Sequence, residues 1–335
     1  MGSSLAGSAA ASRSAESQRA TPELVDELAE AAMDAAERAR FDDAERLSRQ
    51  ALAMAGHLAT PRDRHHGKAR ALRPLGTAQR AVGHYRDAQK TFERALSLAL
   101  RSFGTVSVEA AELHNDLGIT FKYAGRFADA EAQYRRAQAI LESLPDADAE
   151  DVAALYHNLA GLAHARGDFA AAEPLARRGI EIRSAAIGSR APATVLDRSA
   201  HAAILAGLGR TWDAESSIRD LLPDLEAAFG SDHPELAVAL NNLAAIVQGN
   251  GDLTQAETLY RRVVAIKAAR LGPRSPALAV AINNLGTVLR AQGRRAEAAA
   301  EYRRALGVLE GTVEDDHPNL QAVRRNLARL EHQPS

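Results

Sequence analysis

The chain has 335 residues and a formal net charge of −2, with 46% hydrophobic, 25% charged and only 4% aromatic residues. A charge this close to zero gives no electrostatic reason to expect nucleic acid or an anionic membrane as a partner, and we expect neither. The chain has no cysteine, which excludes disulfide bonds, thiolate metal sites and a cysteine nucleophile. This absence is consistent with a reducing compartment, and we expect a cytoplasmic protein.

Residues 1–20 form a segment rich in alanine, serine and glycine that contains Arg13 and Arg19. The segment lacks the continuous apolar run of a signal peptide or a membrane anchor. We therefore expect a disordered tail. The high alanine content and the preference for arginine over lysine indicate a bacterial origin.

A sequence repeat with a period of 42 residues follows this tail. Self-similarity at such a period is the signature of a repeat architecture. An alanine stands five positions after each repeated glycine, from Ala88 to Ala298, and Phe41-Asp-Asp-Ala-Glu45 is an earlier copy without its glycine, which makes seven units. The repeated glycines are Gly83, Gly125, Gly167, Gly209, Gly251 and Gly293.

Each unit is predicted to be two helices around a tight turn, because apolar residues recur at helical spacing before and after the glycine. The glycine supplies the positive φ of the turn, and the alanine lets the two helices approach closely. We expect a repeat domain over residues 21–318 and a capping helix with a short tail over residues 319–335. Prolines 42 residues apart open the later first helices: Pro192, Pro234, Pro276 and Pro318.

Charged and aromatic side chains recur in the second helices. A glutamate lies four residues before an arginine in five units, which predicts ion pairs along one helix rather than a basic stripe for phosphates. These pairs begin at Glu45, Glu131, Glu173, Glu215 and Glu257. The aromatic residues nine positions after the glycine are predicted to be core residues: Phe92, Tyr134, Tyr260 and Tyr302.

Several segments resemble the 42-residue tetratricopeptide repeats of kinesin light chains, and the resemblance extends over residues 21–331. It implies an all-α, right-handed α-solenoid of about seven tandem helix-turn-helix repeats with a C-terminal capping helix. It also implies a protein- or peptide-binding function. The segments that carry it are Leu240-Asn-Asn-Leu-Ala244, Ile282-Asn-Asn-Leu-Gly286, Ala256-Glu-Thr-Leu-Tyr-Arg-Arg262 and Leu271-Gly-Pro-Arg-Ser-Pro276.

The same resemblance implies a ligand groove. In the family the first helices line the concave surface, and an asparagine nine residues before the turn glycine contacts the bound peptide. This sequence matches at Asn158, Asn242 and Asn284, with Asp116 as an acidic variant. The first, second and fifth repeats depart from the pattern with Glu30, Pro74 and Ala200.

The residue spacing independently places positions ten, six and three before the glycine on one face of the first helices, where polar residues form a column. Amides in the column can bond the backbone of an extended peptide whatever its sequence, and its cations favour an acidic ligand or a free C-terminal carboxylate. The alternative is a solvated helix face or hydrogen bonding between repeats. The column contains Arg73, Arg80, Asn115, Lys122, His157, His164, Ser199, Asn241, Gln248, Asn283 and Arg290.

The histidines do not indicate a metal site. His157 and His164 lie seven residues apart, but no third ligand accompanies them, so we expect neither metal nor cofactor. His233 and His317 precede repeat prolines, where a capping or turn role accounts for them. No phosphate-binding loop, nucleophile elbow or paired acidic cluster occurs, and we therefore expect that the protein is not an enzyme.

Three functions stay open at this point. The leading hypothesis is an adaptor or scaffold that binds a segment of a protein partner in the groove. The second is a regulatory sensor for a short signalling peptide or a small molecule, and an enzyme is the third. Self-association through the alanine-rich terminal repeats, Leu24 to Leu58 and Leu278 to Leu309, is a further hypothesis.

Overall fold

The computed structural model describes residues 20–38, 40–273, 275–310 and 318–332, and these residues contain helices and no strand. The expected all-α fold of tandem helical hairpins is confirmed. The expected disordered tail lies outside the described residues, apart from Ala20. The helices are α1 Pro22–Glu37, α2 Phe41–Ala55, α3 Pro61–Ala81, α4 Tyr85–Phe103, α5 Val108–Tyr123, α6 Phe127–Ser143, α7 Ala149–Ala165, α8 Phe169–Ile187, α9 Pro192–Gly207, α10 Thr211–Phe229, α11 Pro234–Gly249, α12 Leu253–Leu271, α13 Pro276–Ala291, α14 Arg295–Leu309 and α15 Pro318–His332.

The helices alternate between two roles. Odd-numbered helices from α1 to α13 are the first helices of the hairpins, even-numbered helices are the second, and α15 follows the last hairpin. The chain divides into two compact units, residues 1–162 and residues 163–335. The first unit contains α1 to α6 with most of α7, and the second contains α8 to α15.

Glycine with positive φ closes each of six hairpins, as the sequence predicts. The φ angles at the six repeated glycines lie between 74° at Gly125 and 91° at Gly251, a region that side chains with a Cβ rarely adopt. A second glycine series, which the sequence analysis did not use, ends four of the second helices with φ between 78° and 99°. This series is Gly104, Gly188, Gly230 and Gly272.

In three hairpins the core combines an aromatic ring with a small residue. Phe92, Tyr134 and Tyr302 are fully buried, and each packs onto a glycine of its first helix. At Gly118, for example, an added Cβ would lie 2.4 Å from the ring of Tyr134. The predicted aromatic core is confirmed, and the six alanines five positions after the glycines are also fully buried: Ala88, Ala130, Ala172, Ala214, Ala256 and Ala298.

Helix starts and surface pairs also follow the sequence pattern. The four repeated prolines begin α9, α11, α13 and α15. The Nδ1 atom of His233 accepts a hydrogen bond from the backbone N–H of Glu235 at 3.3 Å, which confirms its capping role, whereas His317 lies outside the described residues. The five predicted ion pairs all form, from 2.5 Å at Glu45 and Arg49 to 3.6 Å at Glu173 and Arg177.

None of the described helices combines the length and the apolar character that a membrane-spanning segment requires.

Candidate functional site

The polar column predicted from the sequence lies on the first helices. We call this surface the first-helix face and define it by the residues ten, nine, six and three positions before the turn glycine. In the first unit it is carried by α3, α5 and α7, and in the second unit by α9, α11 and α13.

Three asparagine pairs connect neighbouring first helices. Asn158 Nδ2 donates to Asn115 Oδ1 at 2.9 Å in the first unit. In the second unit, Asn284 Nδ2 donates to Asn241 Oδ1 at 3.2 Å and Asn326 Nδ2 donates to Asn283 Oδ1 at 2.8 Å. The partners are 43 residues apart in every pair, and we call each such pair a rung.

The rungs show that the polar column takes part in hydrogen bonding between repeats, which was one of the alternatives to ligand contact. Five predicted site residues form hydrogen bonds between repeats, as that alternative proposed, and their contact with a ligand stays a prediction. A rung uses only part of the hydrogen-bonding capacity of each asparagine, because the side-chain amide has two N–H donors and an oxygen with two lone pairs. The rung asparagines are only half-buried, so part of each residue is exposed at the surface.

A charged version of the rung occupies the start of the same face. Arg73 Nε donates to Asp116 Oδ2 at 2.8 Å, and these two residues are again 43 positions apart. Arg80 Nη1 lies 3.2 Å from Asp116 Oδ1 and 3.2 Å from the backbone oxygen of the same residue. Arg73 also pairs with Glu112 at 2.6 Å. Two of the cations predicted to attract an acidic ligand are therefore already paired within the chain.

The pKa values of this cluster follow from burial and charge together. Burial alone would raise the pKa of Asp116, but the guanidinium groups of Arg73 and Arg80 outweigh it and lower that pKa below its usual value. For Glu112 the balance is reversed, because burial raises its pKa by more than Arg73 lowers it. Asp116 is therefore a buried structural carboxylate rather than an accessible ligand contact.

Besides His164, four predicted site residues have polar side-chain groups without a hydrogen bond or ion pair to any described residue. They are Lys122 in the first unit and Asn242, Gln248 and Arg290 in the second. Ser199, which stands where a rung partner of Asn242 is expected, makes no hydrogen bond to it within the described residues. Asn242 thus has a complete set of free amide donors and acceptors, and we regard these four residues as the strongest candidates for ligand contact.

Lys122 is a half-buried cation of the first unit. Its Nζ lies 5.3 Å from the centroid of the Tyr123 ring. It also lies above Gly161 of α7, where an added Cβ would be 3.3 Å away. Burial, assisted by the charge of Arg80, lowers the pKa of Lys122 below its usual value. A desolvated ammonium group gains from a carboxylate partner, and the chain does not supply one among its described residues.

A shallow depression of about 460 Å³ lies on the first-helix face of the second unit. Small residues form its floor, and His164 and Asn242 stand at its rim. The ring of His164 packs edge-on against Phe169 at 5.3 Å between centroids, whereas His157 is half-buried on α7. The depression is lined by His164, Ala203, Ala206, Thr211, Asn242, Ala245, Ile246, Gly249 and Asn250.

No group of three or more histidine, aspartate and glutamate side chains is arranged to hold a metal ion within the described part of the chain. His157 and His164 accordingly have no third ligand there.

Comparison with protein families gives one match. The tetratricopeptide repeat family matches residues 68–143, 109–185, 198–269 and 235–311, which together cover more than half of the chain. The chain belongs to the tetratricopeptide repeat family. A comparison with curated protein sequences finds no significant match.

Several solved structures are similar to this chain in fold. A kinesin light chain with nearly identical repeats from Podosopora anserina is 19% identical, with a TM-score of 0.51 over 64% of this chain and 99% of that one. The Rap protein complexed with Competence and Sporulation Factor is 14% identical, with a TM-score of 0.68 over 92% and 86%. NprR in complex with its cognate peptide NprX is 13% identical, with a TM-score of 0.63 over 92% and 82%. At these identities the similarity shows the fold alone.

The repeat register also explains a residue that the sequence analysis missed. Asn326 on α15 lies 42 residues after Asn284 and completes the last rung by bonding to Asn283. Helix α15 therefore carries the rung residue of a tetratricopeptide first helix. The period that located the glycines was sufficient to find it.

Proposed function

We propose that this tetratricopeptide repeat protein is an adaptor that binds an extended segment of a protein partner on its first-helix face. The observation that carries the proposal is the set of half-buried amides on this face in the second unit, where rungs hold Asn241, Asn283 and Asn284 in place while Asn242 and Gln248 keep their amides free. An extended peptide exposes backbone N–H and C=O groups, and a side-chain amide can pair with both. The ligand backbone would therefore be recognised without a strict sequence requirement.

The preference for an acidic residue or a free C-terminal carboxylate rests on two cations. Lys122 in the first unit and Arg290 in the second have no carboxylate partner among the described residues. Arg73 and Arg80, predicted from the sequence for the same role, are paired with Asp116 and Glu112. A charge-assisted hydrogen bond to a ligand carboxylate is stronger than a neutral one, so Lys122 in the first unit and Arg290 in the second would each be able to anchor an anionic group.

A regulatory sensor is the second candidate. It is supported by the fold similarity to Rap, solved with Competence and Sporulation Factor, and to NprR, solved with its cognate peptide NprX. In that case binding of a short peptide changes the arrangement of the repeats. X-ray scattering with and without saturating peptide distinguishes the candidates, because a sensor changes its radius of gyration and a rigid adaptor keeps it.

The test compares two asparagines in the same repeat position. Peptides are first selected from a displayed random library with the wild-type chain. The affinity of one selected peptide is then measured by the fluorescence of Trp212, which is the only tryptophan in the sequence and 78% exposed. Asn242→Ala should weaken binding without lowering the melting temperature, because Asn242 has no partner among the described residues. Asn284→Ala is the matched control at the same repeat position. It breaks a rung, so it should lower the melting temperature, which Asn242→Ala should not do.

Two results would contradict the proposal. The first is the enrichment of no peptide from the library. The second is a selected peptide that binds Asn242→Ala, Gln248→Ala and wild type with the same affinity. Peptides that bind wild type and lose affinity with Lys122→Met would in addition support the preference for an anionic ligand.

A further inference from the structure

A separate cavity of about 290 Å³ opens in the first unit between α1, α3 and α5. Its floor is apolar, with Ala29, Ala69 and Leu113 buried and Met33 and Phe103 partly exposed at its wall. Helices α3 and α5 both line the cavity. Pro74 of α3, which stands where other repeats have the rung asparagine, is also part of the lining. A cavity with such a floor accommodates an aliphatic chain.

Carboxylates form the rim of this cavity. Glu30, Glu109 and Glu112 line it together with Arg70 and Arg73. Both guanidinium groups are already shared between two acids. Arg70 lies 3.4 Å from Asp26 and 3.4 Å from Glu30. Arg73 pairs with Glu112 at 2.6 Å and with Asp116 at 2.8 Å. The acidic groups around the cavity therefore outnumber the basic ones.

Glu109 is the carboxylate that remains available. It lies in the first turn of α5, it is partly exposed, and it has no ion pair to any described residue. Glu112 lies one helical turn away, where burial raises its pKa. An additional cation placed between the two would pair with Glu109 and relieve the desolvation of Glu112.

We propose that this cavity binds the side chain of an arginine or a lysine in a peptide ligand. The aliphatic part of the side chain lies against Met33 and Leu113, and the cationic head pairs with Glu109 and Glu112. Long basic side chains combine these two properties, because their methylene stems pack on apolar surface while the head meets a carboxylate. The inference rests on the proposed peptide-binding function. It adds a second feature to the proposed peptide ligand, a basic residue besides the anionic group that Lys122 is proposed to bind.

The experiment uses a small probe and the full chain. The sequence contains three methionines, so labelling the methionine methyl groups with carbon-13 gives a simple spectrum in which Met33 reports on the cavity. Met54 is the internal reference, because its side chain packs against the core formed by Val25 and Ala55. The probe is N-acetyl-arginine amide. N-acetyl-citrulline amide is the neutral control of nearly the same shape.

The arginine probe should shift the Met33 signal in a saturable way and leave Met54 unchanged, and the citrulline probe should bind at least several-fold more weakly. Glu109→Gln should raise the dissociation constant of the arginine probe about three- to tenfold, the range expected for a partly exposed charge-assisted contact. Glu142→Gln on α6 removes an exposed carboxylate that does not line the cavity and should have no effect. Circular dichroism checks that both variants are folded.

Three results would overturn the inference. The first is an unshifted Met33 signal at high probe concentration. The second is equal binding of the arginine and citrulline probes, which means an apolar pocket without charge selection. The third is a Met33 shift that follows protein concentration without probe, which means that a second copy of the chain occupies the cavity.

The outcome is independent of the test of the proposed function. Probe binding at Met33 involves neither Asn242 nor a selected peptide, so the cavity can fail while the first-helix face binds peptides. Conversely, a library that yields no peptide leaves the probe titration interpretable.

Discussion

On the first-helix face, residues 43 positions apart are connected either by an ion pair or by a hydrogen bond between two amides. In the first unit a buried carboxylate, Asp116, accepts from Arg73. In the second unit neutral amides connect Asn241 with Asn284 and Asn283 with Asn326. All of these partners are 43 residues apart, so the geometry of neighbouring repeats is constant while the chemistry of the rung changes.

The difference shows how one repeat position can serve stability or binding. An ion pair that is buried and has several partners is costly to break, because removal of one partner leaves an uncompensated charge. An amide rung is worth less, but it keeps free donors and acceptors at the surface. We therefore expect the charged rung to hold the first unit together, and the neutral rungs of the second unit to leave amides available to a ligand.

The largest expected effect comes from breaking the charged rung. Asp116→Ala leaves Arg73 and Arg80 without their shared carboxylate and should lower the free energy of unfolding by about 3–5 kcal/mol, the usual cost of breaking a buried ion pair. Urea denaturation followed by circular dichroism measures it. Asp129→Ala removes an exposed acid that pairs with Arg126 at 2.7 Å and should cost no more than about 1 kcal/mol. Equal losses in the two variants would mean that the Asp116 cluster is not stabilising.

Acid should weaken the charged rung and not the neutral ones. The pKa of Asp116 is lowered in the folded state, so its stabilisation is complete above the unfolded pKa of about 3.9 and is lost as the pH falls through the lower folded value. The melting temperature of wild type should therefore decrease between about pH 4 and pH 2 more steeply than that of Asp116→Asn. Identical profiles would show that another carboxylate governs acid unfolding.

A neutral rung should be worth less. Asn284→Ala should cost about 1 kcal/mol, the typical contribution of a hydrogen bond between uncharged groups. A double-mutant cycle with Asn241→Ala isolates the rung from other effects of either substitution. A coupling energy indistinguishable from zero would mean that the two asparagines act separately.

The smallest expected effect concerns two tyrosines at the same repeat position. The hydroxyl of Tyr134 is buried without a hydrogen-bond partner in the described structure, whereas that of Tyr302 lies 3.3 Å from the hydroxyl of Thr287. Tyr134→Phe should therefore stabilise the protein by about 1 kcal/mol, and Tyr302→Phe should destabilise it by a similar amount. Melting temperatures of the two variants test this, and a shift in the same direction for both would refute it.

The sequence predicted the fold well because the features that set it are local and periodic. The turn glycines, the alanine five positions later and the opening prolines each act within one hairpin, and a period of 42 residues repeats them. The second glycine series, including Gly188 and Gly230, obeys the same period and was within reach of the same analysis.

The sequence predicted which residues of the polar column lie on the first helices, but not which of them bond to each other. Spacing placed Arg73, Arg80 and the asparagines on the first helices, where they lie in the structure, and their role in ligand binding stays a prediction. It did not reveal that Arg73 faces Asp116 or that Asn158 faces Asn115, because those contacts depend on the offset between neighbouring hairpins. The bonded partners are 43 residues apart, one more than the period of 42. The residue ten positions before one turn glycine therefore bonds to the residue nine positions before the next turn glycine, and not to its own equivalent.

This offset has a consequence for how such a chain changes in length. The repeat of α13 contributes the donor of one rung and the acceptor of the next, through Asn284 and Asn283. A tandem duplication of this repeat would therefore copy a complete connector, and the new copy could bond to both neighbours without compensating substitutions. A repeat such as that of α11, in which Asn242 is unpaired within the described structure, would copy the interruption instead.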